Sequence, residues 1–299
     1  MQELFEIQRR FGIEIELGEE VSKEIVSNFF SEKSSHASKS DIYRPSCNND
    51  FWHIKDDATC GTRGRQGPKG VEIASYVAKS LFDLQNISSL ISMLPNLGCK
   101  INKNCGFHVH VDCQDLTKAQ VAVITAYWIK IENCLKYSVP LSRRNNRYCA
   151  MLGPKLKIKT LQRFPDAELF YNFCCPKDIG FFENKERKVN FNLVNYARAL
   201  HFGTSSKKTL ELRWPESTLN ENDIKNWTIL FLNFIENCKD KTLPDSFSES
   251  NFYEMLDILG LNSDFEEIKK VKIWLLKRFS KYVSNFKEES IEILSKLDK

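Results

Sequence analysis

The chain has 299 residues, of which 42% are hydrophobic and 27% are charged. This composition excludes disordered and collagen-like proteins and provides enough apolar side chains for a sizeable core. The 43 lysines and arginines nearly balance the 39 aspartates and glutamates. The strongly basic surface of a dedicated nucleic-acid binder is therefore not expected.

Cysteine usage and hydropathy indicate the compartment. The ten cysteines are spread over a long chain and no secretory leader is recognisable ahead of them, so we expect reduced thiols. The longest apolar stretches, at 119–128 and 229–235, are far shorter than the roughly 20 residues of a membrane-spanning helix. We therefore expect a cytoplasmic protein without a membrane segment.

Apolar and polar residues alternate, as they do in half-buried strands, in five segments: 11–17, 51–54, 71–73, 105–112 and 208–214. The glycine-rich segment 59–70 also contains a proline and basic residues, which predicts a surface loop.

Apolar residues at helical spacing predict helices at 74–94, 116–137 and 221–238. The capping-type segment 115–117 precedes the second helix, and Asn220 is positioned to cap the third. The rest of the chain predicts two or three further amphipathic helices.

Strands separated by long helices predict an α+β protein with a mostly antiparallel sheet, flanking helices and a helical C-terminal tail. We expect a main domain at 1–244 and a helical extension at 245–299.

The strands carry ionisable residues on one face, because residues two apart on a strand point to the same side. The polar faces of the three clearest strands consist of Gly12, Glu14 and Glu16, of Gly106, His108, His110 and Asp112, and of Thr209, Glu211 and Arg213. Glu72 adds a further carboxylate from its own short strand. The opposite face of each strand is apolar.

If these strands share a sheet, four carboxylates and two imidazoles converge on one surface. Crowded carboxylates raise each other's pKa unless a cation neutralises them, and oxygen ligands suit Mg²⁺ or Mn²⁺. A Glu-x-Glu pattern on a single strand more often marks a solvent-exposed face than a metal site. A His-x-His pattern on a single strand is at best as often functional as structural. The same segregation on three strands favours a metal site.

Arginines suggest what such metals would hold. Arg213 shares a face with Glu211, and the segment 143–148 is compact and cationic. The guanidinium group of an arginine can donate hydrogen bonds to two phosphate oxygens at once, so a polyphosphate is the expected ligand. Walker A, Rossmann, protein-kinase and HExxH motifs are absent from the sequence.

Four ordered motifs resemble those of the putative amidoligase family, which belongs to the superfamily of glutamine synthetase and glutamate-cysteine ligase. They are FGIEIE at 11–16, WHIKDDAT at 52–59 followed by GVEIAS at 70–75, CGFHVHVD at 105–112 and TLELRWPESTL at 209–219. The resemblance covers residues 8–240 and implies a catalytic domain of the glutamine synthetase type.

The resemblance implies roles for individual residues. Metal ligands are implied at Glu14, Glu16, Glu72, His108 and Glu211. Arg213, Glu211 and His108 are implied as catalytic residues, and His110, Asp57, Arg143, Arg144 and Tyr148 as nucleotide- or substrate-binding residues. The asparagine that usually precedes the last strand corresponds to Asn190, Asn192 or Asn195.

The resemblance also implies an activity, the formation of an amide bond from a carboxylate and an amine through an acyl phosphate, with ATP and Mg²⁺ or Mn²⁺. The substrates could be small molecules, peptides or proteins. The segment 245–299 departs from the family pattern and could cap the core or form a contact between copies of the chain.

Two alternatives stay open at this point. One is a zinc or iron enzyme that uses His108, His110 and one carboxylate as metal ligands. The other is a non-catalytic nucleotide-binding module that retains the same fold.

Overall fold

The structure is a computed structural model. It describes residues 6–40, 50–61, 68–144, 146–153, 158–163, 174, 188–203, 208–246, 248–282 and 287–297. Two compact units are present. We call residues 6–112 with 211–225 the sheet unit, and residues 113–210 with 226–299, together with 1–5, the helical unit. This division follows packing, and the functional division at residue 244 stays a prediction.

The sheet has seven strands in the described part of the chain. They are β1 (Phe11–Leu17), β2 (Ser38–Ser40), β3 (Trp52–Asp57), β4 (Gly70–Ala74), β5 (Phe107–Asp112), β6 (Phe191–Asn192) and β7 (Thr209–Leu212). Their order is β2-β3-β4-β1-β5-β7-β6. β2 pairs with β3 in parallel, whereas β3 with β4, β4 with β1, and β1 with β5 are antiparallel. The predicted α+β architecture with a mostly antiparallel sheet is confirmed.

Ten α-helices lie in the described ranges. They are α1 (Lys23–Lys33), α2 (Leu81–Ser92), α3 (Lys118–Leu135), α4 (Leu141–Arg144), α5 (Ile158–Gln162), α6 (Val194–His201), α7 (Glu221–Cys238), α8 (Phe252–Ile258), α9 (Glu266–Tyr282) and α10 (Lys287–Leu297). The last three confirm the predicted helical tail. None of these helices is long and apolar enough to cross a membrane.

Side-chain caps set the helix starts. Thr117 accepts a hydrogen bond from the Gln120 backbone and completes a capping box at α3. Asn220 accepts from the Asp223 backbone at α7, as the sequence indicates. The prediction for α2 began too early, because Ser80 caps this helix through Asp83 N at 3.0 Å.

The apolar faces of the strands form the core of the sheet unit. Phe11, Ile13, Ile15 and Leu17 on β1 are at most 2% exposed, and Phe107, Val109 and Val111 on β5 are fully buried. Next to the edge strand β2, Phe30 of α1 stacks on Trp52 of β3 with ring centroids 4.1 Å apart. The polar residues that alternate with these apolar residues along each strand point to the opposite face of the sheet.

Two strand glycines differ in how much space surrounds them. A Cβ at Gly70 would lie 2.5 Å from Cys60 Cβ, whereas a Cβ at Gly12 would meet no heavy atom within 4 Å. Gly70 therefore allows β4 to pass close to Cys60, and Gly12 leaves open space on the polar face beside Glu14.

We predict that Gly70→Ala lowers the free energy of unfolding by roughly 1–3 kcal/mol through overpacking. Gly12→Ala is the matched control and should change it by less than about 1 kcal/mol, because its methyl group enters open space. Urea denaturation of both variants measures the difference. Equal destabilisation would contradict the close packing at Gly70.

Candidate active site

A row of charged residues crosses three neighbouring strands of the sheet unit. Glu16 of β1 lies directly opposite Glu72 of β4, and Glu72 lies directly opposite Lys55 of β3. Lys55 Nζ contacts Glu72 Oε1 at 2.6 Å. On the other side of β1, the Gly106 backbone donates to Glu16 Oε2 at 2.5 Å. The sheet register thus places two carboxylates side by side between an ammonium group and a backbone amide.

A second row joins β1 to β5. Glu14 lies directly opposite His108, and His108 Nδ1 is 3.3 Å from Glu14 Oε2. The other oxygen of Glu14 is 3.2 Å from His110 Nε2. Both imidazoles of the His-x-His strand therefore contact one carboxylate.

β7 completes the cluster. Glu211 Oε1 lies 3.8 Å from His110 Nε2 and 3.9 Å from His108 Nδ1. Arg213 follows β7 and donates to Glu211. The structure thus brings together the four glutamates, two histidines and one arginine that sequence analysis expects on one surface, and we call them the polar face: Glu14, Glu16, Glu72, His108, His110, Glu211 and Arg213.

The polar face is largely shielded from water. Glu211 is 1% exposed, His108 3%, Glu16 7% and Glu72 8%. On the solvent-facing side of an ordinary strand, carboxylate and imidazole side chains would be exposed to water. A buried carboxylate needs hydrogen bonds and an opposite charge, so this arrangement requires compensating cations or protons.

Two of the carboxylates have raised pKa values. Burial, together with Asp57 and Glu72, raises the pKa of Glu16 to about 8. Burial and the charge of Glu14 raise the pKa of Glu72 to about 7, although Lys55 opposes this rise.

The other two carboxylates stay ionised. Burial acts to raise the pKa of Glu211, but Arg213 and His110 outweigh it and lower the pKa to about 2. At Glu14 burial is likewise outweighed, here by His110 and His108, and the pKa lies well below its usual range.

His108 is neutral at physiological pH. Burial, aided by the charge of Arg213, lowers its pKa to about 4. A neutral imidazole keeps one ring nitrogen with a lone pair, which is the form that binds metals.

Two groups of side chains on this face could each hold a metal ion. The first is Glu14, His110 and Glu211, and the second is Glu16, Asp57 and Cys60. In each group the ligand atoms lie within 4.8 Å of one another. In the first group the carboxylate oxygens suit Mg²⁺ or Mn²⁺, whereas the imidazole also suits zinc or iron. The first group contains His110, which sequence analysis assigns to nucleotide or substrate binding, alongside Glu14 and Glu211.

Two members of this neighbourhood were missed by sequence analysis. Lys55 lies within the WHIKDDAT motif but was given no role, and the β3–β4 register reveals its pairing with Glu72. Cys60 falls in the predicted surface loop at 59–70 but is fully buried, so that prediction was wrong at Cys60. Close packing against Gly70 explains the burial. Residues 62–67 lie outside the described residues.

The remaining predicted binding residues lie in the helical unit. Arg143 is 3% exposed. Arg144 donates to the backbone oxygens of Val139 and Tyr282, and the Tyr148 ring stacks with Arg147. Their roles stay predictions.

The three candidate asparagines also lie in the helical unit. Asn190 bonds to Glu132 and Trp128, and Asn192 accepts from the Val194 backbone. Asn195 donates to Thr209 at 3.3 Å. The assignment of the family asparagine to one of these three residues stays a prediction.

We predict that the stability of the metal-free protein decreases between pH 7 and about pH 8 and levels off at higher pH. Below about pH 8 the folded state holds protons on Glu16 and Glu72 that the unfolded state has already released, and this difference disappears once the folded groups also ionise. His108 does not titrate in this range, because its ordinary pKa of 6.5 is lowered by folding. Thermal unfolding in a chelator measures the slope.

Glu16→Gln is the matching variant. It keeps the side-chain shape without the titrating proton, so its unfolding temperature should vary less over this pH range. A slope equal to that of the unmodified protein would show that Glu16 ionises normally.

Comparison with known proteins identifies the family. Residues 7–235 match a protein-family model described as "Putative amidoligase enzyme". No curated protein matches the chain. The matched segment contains the whole polar face. Because the match covers well over half of the sequence, the chain belongs to the putative amidoligase enzyme family.

Proposed function

We propose that the protein is an ATP- and Mg²⁺-dependent carboxylate–amine ligase of the glutamine synthetase and glutamate-cysteine ligase superfamily. In this proposal a substrate carboxylate attacks the γ-phosphorus of ATP to give an acyl phosphate and ADP. An amine then displaces phosphate and forms the amide. Family membership supports amide-bond formation, and the geometry of the polar face supports the role of metal and phosphate.

One observation carries the proposal: four carboxylates converge on a buried face that also bears an arginine and a neutral histidine. When all four are ionised, their charges exceed what Lys55 and Arg213 can neutralise, so divalent cations would take the place of the protons on Glu16 and Glu72. Mg²⁺ bound there would neutralise and orient the β- and γ-phosphates of ATP.

Glu14, His110 and Glu211 would hold one ion. Their ligand atoms lie within 4.8 Å of one another, and Glu14 and Glu211 are already ionised. Glu16 and Glu72 would hold the second ion, which would displace the protons that they carry without metal.

Arg213 would bind the phosphoryl group in transfer. Its guanidinium is oriented by Glu211, and this carboxylate, with Glu14 and Glu16, outweighs burial and raises the arginine pKa. A fixed positive charge in a site with little water stabilises the charge that develops on the phosphoryl oxygens.

Gly12 supports the presence of a ligand above the face. It lies directly opposite His110, and the open space around it would accommodate a substrate group. The cationic segment of Arg143, Arg144 and Tyr148 is proposed to contact nucleotide or substrate.

The proposed substrates are a carboxylate and an amine, which could belong to small molecules, peptides or proteins. We propose a cytoplasmic location and a contact between copies of the chain through 245–299. Gel filtration of the full chain tests that contact.

We predict that Glu14→Gln and Glu211→Gln each reduce Mg²⁺-dependent ATP turnover at least about a hundredfold, because each loses a charged ligand and with it metal affinity. Glu221→Gln is the control, since Glu221 pairs with Lys225 on α7 outside the polar face. The assay measures phosphate release with pools of carboxylates and amines, and mass spectrometry identifies the amide product. Wild-type turnover in either site variant would contradict the assignment, provided that circular dichroism shows a folded protein.

We predict that Arg213→Lys lowers kcat more than it raises KM for ATP. Lysine keeps the positive charge but lacks the planar guanidinium group that Glu211 orients. Steady-state kinetics with varied ATP separates the two effects. A change in KM alone would assign Arg213 to ground-state binding.

The second candidate function is a zinc or iron enzyme, and the contact of both histidines with Glu14 favours it. Elemental analysis of the purified protein distinguishes it from the ligase. Tightly held stoichiometric zinc or iron on the histidines supports the second candidate, whereas ATP-dependent Mg²⁺ binding supports the ligase.

A further inference from the structure

Two arginines tie the C-terminal helix α9 to the segment that contains α4. Arg278 of α9 donates from Nε to the backbone oxygen of Ser138 at 2.8 Å. Arg144 of α4 donates from Nη2 to the backbone oxygen of Tyr282, the last residue of α9, at 2.7 Å. Each of the two segments thus gives a guanidinium group to a carbonyl of the other, and both belong to the helical unit.

Arg278 is enclosed by aromatic rings. The residue is 8% exposed, and its guanidinium carbon lies 5.2 Å from the ring centroids of Trp227 and Tyr282 and 5.3 Å from that of Trp274. A buried cation is costly unless aromatic rings and hydrogen-bond acceptors compensate it. The Ser138 carbonyl is one such acceptor, so the bond to this carbonyl helps to stabilise the buried charge.

The helix α4 depends on contacts outside itself. It has only four residues, Leu141–Arg144, and a helix of this length is not stable in isolation. Arg144 Nε donates to the backbone oxygen of Val139 at 2.9 Å, which fastens the helix to the residue ahead of Pro140. The bonds at Ser138 and Tyr282 then connect this fastened turn to α9.

The bond from Arg144 also caps α9. The last carbonyl groups of a helix have no partner within the helix and lie at the negative end of its dipole. Arg144 brings both a donor and a positive charge to this end. Among the described residues no hydrogen bond engages Nη1 of Arg144, and this nitrogen remains for an anionic ligand.

We propose that α9 is a positioning element for the cationic segment 143–148 and that Arg278 is its positioning residue. The inference rests on the proposed function and narrows the role of this segment to the nucleotide, because arginines suit phosphate oxygens. The family match ends at residue 235, ahead of α9. The nucleotide affinity of this chain would therefore depend on a helix that the family match does not include.

Arg278→Gln removes the charge and weakens the bond to Ser138. The backbone amides of Arg143 and Arg144, which donate to the Pro140 oxygen, should then exchange with deuterium at least about tenfold faster, because local opening becomes easier. KM for ATP should rise at least about fivefold while kcat changes less than about twofold, because no residue of the polar face is altered. Hydrogen exchange read by mass spectrometry and steady-state kinetics measure the two effects.

Lys281→Gln is the matched control. Lys281 is an exposed cation of the same helix and also lies over the Tyr282 ring, with Nζ 4.9 Å from its centroid. This variant should leave both the exchange rates and KM unchanged. Arg278→Lys keeps a charged donor and should recover part of the ATP affinity. Tyr282→Leu removes one ring beside the guanidinium group without leaving a buried charge unpaired, and it should give smaller changes in the same direction if Arg278→Gln does not fold.

The two measurements separate this inference from the proposed function. Faster exchange with an unchanged KM would make the bond merely structural and overturn the inference, and so would an unchanged exchange rate. ATP turnover by the unmodified protein leaves the proposed function standing in either case. ATP binding without turnover that weakens in Arg278→Gln, measured by calorimetry, would refute the proposed function and leave the positioning role standing. An unmodified protein that does not bind ATP would overturn both.

Discussion

The direct opposition of Glu16 and Glu72 across β1 and β4 is the constraint on which the site depends. Like charges directly opposite on a sheet destabilise the pair, and here both residues are more than nine-tenths buried. The strands cannot relieve this by a one-residue slip, because that would turn the apolar row of Ile13 and Ile15 onto the polar face. Packing of the apolar face therefore fixes a charge arrangement that electrostatics alone would disperse.

The surroundings divide the carboxylates into two kinds. Toward β5 and β7, histidines and Arg213 keep Glu14 and Glu211 ionised. Toward β4 and β3, Lys55 pairs with Glu72, but burial raises the pKa of Glu16 to about 8 and that of Glu72 to about 7, so both tend to hold protons in the absence of metal. A cation can enter the first group without displacing a proton, whereas it must compete with protons at the second. Two metal positions on one sheet face would thus differ in their pH dependence and in their ligands.

Much of this arrangement was predictable from local sequence. Alternation in FGIEIEL and CGFHVHVD identified the strands and the face of each side chain, because the two-residue period of a strand is independent of its partners. Strand register was not predictable: the opposition of Lys55 to Glu72 depends on how β3 and β4 align, and the segment joining them contains no turn motif that specifies the alignment. The burial of Cys60 was missed for a related reason, since a glycine-rich composition indicates a turn but not what packs against it.

Family membership and geometry answer different questions about this protein. The family match supports amide-bond chemistry but does not say how closely the strands of the site must pass. The geometry does, because a Cβ at Gly70 would clash with the Leu17 backbone oxygen of β1 and with Cys60. A larger residue at Gly70 would therefore push β4 away from β1 and separate Glu72 from Glu16, which lie directly opposite each other. One backbone position without a side chain can thus set the spacing of two carboxylates on the polar face.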